Sequence, residues 1–305
     1  ARTRCGLLTA LTLHAVAVDD GSLIPDAASL HPDEVNAVLA GIEKYRGSGE
    51  PSPWVWSWLD AVRAFDGSQL YRLLSVVERG MRRGWALDEQ QLGWILDTLG
   101  REPEGRGRRQ RDPGRQAALV LLYGLQVADN RSRILSHLEA ISSAKLKPAS
   151  QNAVWCLAAD SGLRDEWQRA EPWIKEKRHL AAAVDGIGYA INEHVRMKDK
   201  PALAAGALPL LCAALRNGNA AVRRAALDEV WTMGSWGKLP VAAALPEVDR
   251  ALADSKLKIA AVRAIDAIAE TDKQSVAHYR PLLEQLENDP NSNMRGAAAD
   301  ALRAL

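Results

Sequence analysis

Three short segments in the last hundred residues of this chain repeat one pattern of apolar and small side chains. Val222, Ala226 and Val230 form the first set, Leu257, Ala261 and Ile265 the second, and Met294, Ala298 and Leu302 the third. Positions four and eight apart share one face of an α-helix, so each set predicts a helix with a buried stripe. A basic residue follows the first apolar one each time: Arg223, Lys258 and Arg295. Upstream of each set a proline opens another apolar run, Pro209 before LLCAAL, Pro246 before EVDRAL and Pro281 before LLEQL. The interval of roughly 35–37 residues is the length of one helix pair. A single pair cannot bury its apolar face alone, so successive pairs stack and bury one another.

Upstream the pattern is less regular but still helical. His31-Pro32-Asp33-Glu34 reads as a helix start, with proline and acids in the first turn. The helix then runs near 32–46 and buries Val35, Val38, Leu39 and Ile42. A second follows near 53–65. Helices near 69–83 (Leu70, Leu73, Leu74, Val77) and 88–100 (Leu92, Ile95, Leu96, Leu99) are expected to pair. Residues 101–115, REPEGRGRRQRDPGR, interrupt the rhythm with six Arg, three Gly and two Pro, and read as a polar loop. Helicity resumes at 114–128, 131–144, 149–160, 165–179 and 180–195. With no strand alternation after residue 25, the fold class is all-α: an α-solenoid of antiparallel helix pairs, about sixteen helices in one right-handed superhelical domain over residues 1–305. Residues 1–31 form an N-terminal cap and connector, 32–200 degenerate repeats, and 201–305 clear ones.

The first segment has two readings. Residues 2–18, RTRCGLLTALTLHAVAV, have the basic start, apolar stretch and Ala15-Val16-Ala17 of a signal-like segment, ahead of Asp19-Asp20. They also fit a first, capping helix, with a strand from Leu11 to Val18 as competitor. The capping helix is the reading adopted. No stretch is long and apolar enough to span a bilayer. The absence of an initiator Met reads as a processed chain or one excised from a longer protein.

Composition narrows the function classes. A formal net charge of +1 over 305 residues sets up no global field for nucleic acid or an anionic membrane. Cys5, Cys156 and Cys212 are far apart, with neither a metal spacing nor a disulfide framework. They favour a reducing, cytoplasmic setting; a secreted one would require residues 2–17 to derive from a signal-like segment. Ten Trp stand against one Phe. The six histidines are scattered, and no HExxH, CxxC, GxSxG or phosphate-binding glycine loop occurs. The sequence therefore nominates no catalytic residue, no metal site and no cofactor.

LPLLCAALRNGNAAVRRAALDEV, LPEVDRALADSKLKIAAVRAI and RPLLEQLENDPNSNMRGAAADAL resemble HEAT repeats, most clearly within residues 208–305. Each has a proline opening the first helix, Asn, Asp, Gly or Ser in the turn, and a Val-Arg-like pair starting the second. The resemblance implies a HEAT/ARM-like scaffold that binds a macromolecule, a protein first and nucleic acid second, rather than an enzyme. One enzymatic branch, the HEAT-like alkylpurine DNA glycosylases, carries a helix similar to SWLDAVR at Ser57–Arg63. Here Leu59 replaces that family's second aromatic and Arg63 its final carboxylate, which removes the chemistry from those positions.

Two groups stand out as partner-binding candidates. Arg106, Arg108, Arg109, Arg111 and Arg115 could grip phosphates or an acidic partner, although Glu102, Glu104 and Asp112 dilute their field. Trp56 points about 200° round the helix from Trp54, while Trp58 shares Trp54's face, so at least one of the three is expected at the surface, as an anchor. The repeat cations Arg223, Lys258 and Arg295 are expected to hold turn carbonyls or acids such as Asp254 and Asp289; a concave basic track is the alternative.

Overall fold

The structure, a computed structural model, describes residues 2–45, 50–63, 68–103, 111–144, 147–176 and 179–305. Regular structure among them is entirely helical, with no strand. The helices gather into two compact units, Ala1–Cys156 and Leu157–Leu305. The first holds α1 (Arg2–Val18), α2 (Pro32–Lys44), α3 (Pro53–Val62), α4 (Ser68–Met81), α5 (Glu89–Thr98), α6 (Pro113–Gly124) and α7 (Ala128–Ser143). α8 (Ala149–Leu163) runs from the first unit into the second. The second continues with α9 (Glu171–Lys175), α10 (Leu180–Arg196), α11 (Leu208–Leu215), α12 (Ala220–Trp231), α13 (Leu245–Leu252), α14 (Lys258–Ala269), α15 (Lys273–Val276), α16 (Arg280–Leu286) and α17 (Ser292–Ala304).

Local chemistry explains where the helices start. The first backbone N–H groups of a helix lack internal partners, and short polar side chains supply them. His31 Nδ1 accepts from the Asp33 amide at 3.4 Å, while Glu34 reaches back to the His31 amide at 3.1 Å. Asp88 and Gln91 exchange the same pair of bonds at 2.8 and 2.9 Å to open α5. Asp112 caps α6, so this helix begins inside the arginine-rich stretch. Pro209, Pro246 and Pro281 stand in the first turns of α11, α13 and α16, where a missing N–H costs nothing.

In the first unit α1 packs on α2, α2 on α4, and α4 on α6, with α3 flanking α4 and α5 flanking α6. The expected pairing of α4 with α5 is therefore corrected. Val76 and Met81 join Leu70, Leu73, Leu74 and Val77 as buried residues, a stripe wide enough for α4 to serve both α2 and α6. On α5 Leu92 and Ile95 are buried as expected, Trp94 is buried with them, and Leu96 is only half-buried. Residues 2–18 are helix rather than strand. α1 buries Leu8, Thr12 and Ala15 but leaves Leu7 and Val18 exposed, an apolar outer face where terminal caps are ordinarily polar.

The second unit repeats one arrangement. α11, α13 and α16 lie against α12, α14 and α17, while α10, α12, α14 and α17 pack each on the next. The four-residue spacing lands in the core as expected, except for Leu302, which is half-buried on a helix that packs principally on α14 and α16. Ion pairs join successive repeats: Arg216 to Glu247 and Arg223 to Asp254, each at 2.7 Å and 31 residues apart, and Lys238 to Glu270 at 2.8 Å and 32 apart.

Val230 and Ile265 are fully buried between these helices. An uncompensated charge there costs about 3 kcal/mol or more. Val230→Asp or Ile265→Asp is therefore expected to lower the melting temperature by roughly 5–10 °C. Exposed Glu102→Gln should leave it unchanged. Calorimetry on the three variants checks this.

Candidate functional site

The first unit contains a cleft of about 420 Å³. α2 lines it with Asn36 and Glu43, and α4 with Tyr71, Arg72, Ser75 and Arg79, residues that helical spacing brings to one side. Arg111, just ahead of α6, completes it. Glu43 is the pivot. Its side chain is only 14% exposed, and it accepts from Arg72 Nη2 at 2.9 Å and pairs with Arg79 through its other oxygen. A carboxylate that buried needs such partners. Arg111 lines the same cleft and is exposed, and the Nε–H of Arg72 is buried with no partner among the described residues. The cleft thus holds three guanidinium groups and one carboxylate, an excess of positive charge that suits planar anions. Arg83 secures its wall by donating to the carbonyls of Glu43, at 3.3 Å, and Tyr45, the last acceptors of α2.

The other predicted binding residues are dispersed. Arg106, Arg108 and Arg109 lie outside the described residues. Arg115 stacks its guanidinium 4.1 Å from the centre of the Trp155 ring, a packing role. Trp56 is half-buried and packs its ring against Trp85, with centroids 5.3 Å apart at 66°. Trp54 is likewise half-buried, and Trp58 is buried with its N–H on the Pro25 carbonyl at 3.2 Å. The helix therefore offers no fully exposed Trp, because Trp85 covers the side that spacing alone would leave to solvent. In the glycosylase-like segment Leu59 is fully buried, Arg63 is exposed, and burial holds the Asp60 carboxyl above its usual range. Of the repeat cations, Arg223 holds Asp254, and Arg295 holds the carbonyls of Asp289 and Pro290 at 2.8 and 3.0 Å.

The second unit has a contrasting surface that the sequence reading missed. α12 ends in a π-helical turn, Thr232–Trp236, a widened turn often found at functional sites. Gly234 permits it: a Cβ there would stand 2.7 Å from the carbonyl oxygen of Ala267 on α14. The turn presents Trp236, 59% exposed, against Trp231, with centroids 5.5 Å apart. Trp231 donates to Asp266 at 3.4 Å, and Arg263 lies 5.8 Å above the Trp231 ring. Asp228 and Glu229 lie on α12, and Asp266 on α14. Burial raises all three carboxyls, and neighbouring acids reinforce the shift at two of them, Asp185 and Asp228 at Glu229, Asp300 and Glu270 at Asp266. Glu229 lies against Gly188 of α10, where a Cβ would meet its carboxylate at 2.4 Å. The faint signal was the run VWTMGSW, two Trp flanking a glycine beyond the helical stripe.

No family model and no curated protein matches the chain. Among solved structures, the chain is similar to the crystal structure of an engineered protein, at 13% identity and a TM-score of 0.41, over 98% of this chain and 93% of that one.

Burial pushes Glu229 up to about 7 from 4.5. The folded state therefore keeps this proton when the unfolded chain has lost it, and the resulting stabilisation, fully present below the unfolded value, fades as pH rises toward 7. Relative to Glu229→Gln, the native chain should lose up to a few kcal/mol of stability between those limits. Melting temperatures of both proteins across that range check the sign. A difference that does not change with pH contradicts it.

Proposed function

We propose that this protein is a non-enzymatic, HEAT-like helical-repeat scaffold that binds an acidic protein segment in the cleft between α2 and α4. The observation that carries the reading is the cluster of Arg72, Arg79 and Arg111 around a single carboxylate, Glu43. Guanidinium groups bind carboxylates through paired, planar hydrogen bonds. An incoming Asp or Glu would meet Arg111 and the exposed part of Arg79 without displacing Glu43. Tyr71 and Ser75 add neutral polar contacts along the same wall.

Nucleic acid is the second reading. What favours protein is the distribution of the remaining cations. A phosphate track needs a row of available Lys and Arg. Arg223 and Arg295 are held by Asp254 and by turn carbonyls. The cleft also has the volume of a few side chains rather than of a backbone-long groove. Arg106, Arg108 and Arg109 adjoin Arg111 in sequence and belong to the same test.

The double variant Arg79→Ala/Arg111→Ala is expected to weaken binding of a labelled glutamate-rich peptide by about fivefold or more and to flatten its salt dependence. Arg111→Ala alone, at an exposed position, should weaken binding with the melting temperature unchanged, whereas Arg79 also holds the nearly buried Glu43 and its loss should lower that temperature. Replacing Arg106, Arg108 and Arg109 with Ser should weaken the same complex further if the whole arginine-rich stretch takes part. Fluorescence anisotropy at two salt concentrations provides the measurement. Unaltered peptide affinity would refute the cleft as the site. A single-stranded oligonucleotide binding more tightly than the peptide, with a slope of about one per phosphate contact, would install the second reading instead.

A further inference from the structure

We infer that the Trp231–Trp236 surface of the second unit is a separate docking site for an arginine-containing segment of a protein partner. Trp236 is the most exposed large aromatic side chain among the described residues, and it is held rather than loose. The π-helical turn fixes its backbone, Gly234 lets that turn press onto α14, and the Trp231 ring supports it from one side. A large rigid ring that remains in water while one side is braced suits an interface anchor, because little side-chain freedom is lost on binding.

Charge decides the occupant. Asp228 and Glu229 come from α12, which leads into the Trp pair, and Asp266 and Glu270 from α14 and its C-terminal end beside it. Opposing them are Arg224 and Arg263, which attract Asp228, and Lys238, which pairs with Glu270. Two further acids act on this cluster, Asp185 on Glu229 and Asp300 on Asp266. A cation entering here gains Coulomb attraction and relieves repulsion among the acids.

The protein itself shows that the aromatic pair accepts a guanidinium. Arg263 lies over the Trp231 ring, 5.8 Å from its centroid. That arrangement pairs a ring face with a planar cation, an attraction worth more as water is excluded. A partner's Arg placed on Trp236 would repeat it one ring further out, beside a ring whose own partner, Trp231, donates to Asp266. An anionic or purely apolar segment would find the ring but meet the carboxylates. This site is independent of the cleft described above: different residues, opposite charge.

The test uses the full chain and a fluorescein-labelled arginine-rich peptide, followed by anisotropy at two salt concentrations. Native protein should bind it, with weaker binding at the higher salt. Trp236→Ala, at an exposed position, should fold normally by circular dichroism and reduce affinity by about five- to tenfold. Trp236→Phe should recover part of the loss, since a smaller ring still offers a face. Glu270→Gln should lower affinity less and chiefly reduce the salt dependence. Arg79→Ala/Arg111→Ala should leave arginine-peptide binding unchanged. The proposal is overturned if the native chain does not bind the peptide, or if Trp236→Ala binds it as tightly as native protein does.

Discussion

Every other feature of this protein depends on the packing of one helix of each pair directly on its counterpart in the next. In the second unit α12 lies between α10 and α14, and α14 between α12 and α17. A helix with neighbours on several sides can afford little bulk. α14 accordingly buries Ala260, Ala261, Ala264, Ala267 and Ala269 beside Val262, Ile265 and Ile268. Small side chains let the backbones approach, and the larger ones fill the spaces between. One narrow strip remains outside this packing, and there the helix carries Arg263 and Asp266, with Glu270 just beyond its end. Functional chemistry on such a helix is confined to that strip, and the strip of α12 beside it carries Asp228, Glu229 and Trp231.

The same packing determines which charges are available to a partner. Arg216, Arg223 and Lys238 each reach an acid about one helix pair further along, so each already has a carboxylate partner. Glu247 shows the logic at a buried position. It is 3% exposed and receives both Arg216 and Arg250. Leaving either side of such an arrangement unpaired would cost more than the pair contributes. In the first unit Glu43 similarly takes Arg72 and Arg79, but Arg111 adds a third guanidinium without adding an acid. Structural pairing thus ends where a surplus of cations begins, and that boundary cannot be located by counting charges along the chain.

The sequence made the helices legible and the sites only partly so, for one physical reason. Helix faces and starts are local. Val222, Ala226 and Val230 are spaced by the helix itself, and Pro246 or His31-Pro32 signals a first turn through backbone chemistry alone. Which helices touch is not local. The wide stripe of α4 was visible as Leu70, Leu73, Leu74 and Val77, yet only the neighbours show that it serves α2 and α6 rather than α5. Arg111 is nominated by its arginine-rich surroundings and does line the cleft, but nothing in the sequence singles out Arg72, Arg79 and Glu43, which two helices bring together. Trp56 failed as an exposed anchor because Trp85, 29 residues away in sequence, covers it. Trp236 was overlooked because a π-helical turn changes the angular step per residue, so a helical wheel places it wrongly.

A formal net charge of +1 sets up no global field for nucleic acid or an anionic membrane. It does not describe local charge, as the two surfaces show. Net charge governs the distant field, but in physiological salt a field is screened within about 8 Å. A partner at close range therefore responds to the few groups it touches. Near α2 and α4 these are guanidinium groups around one carboxylate, and near the π-helical turn they are carboxylates around two indoles. Opposite local charges cancel in the sum and remain distinct in recognition. Such a chain gains little long-range steering and would associate through short-range fit, so selectivity should rest on Arg111 and Trp236, the exposed members of otherwise self-paired clusters. Those two side chains have little structural work to do, which leaves them free to change partners without cost to the fold.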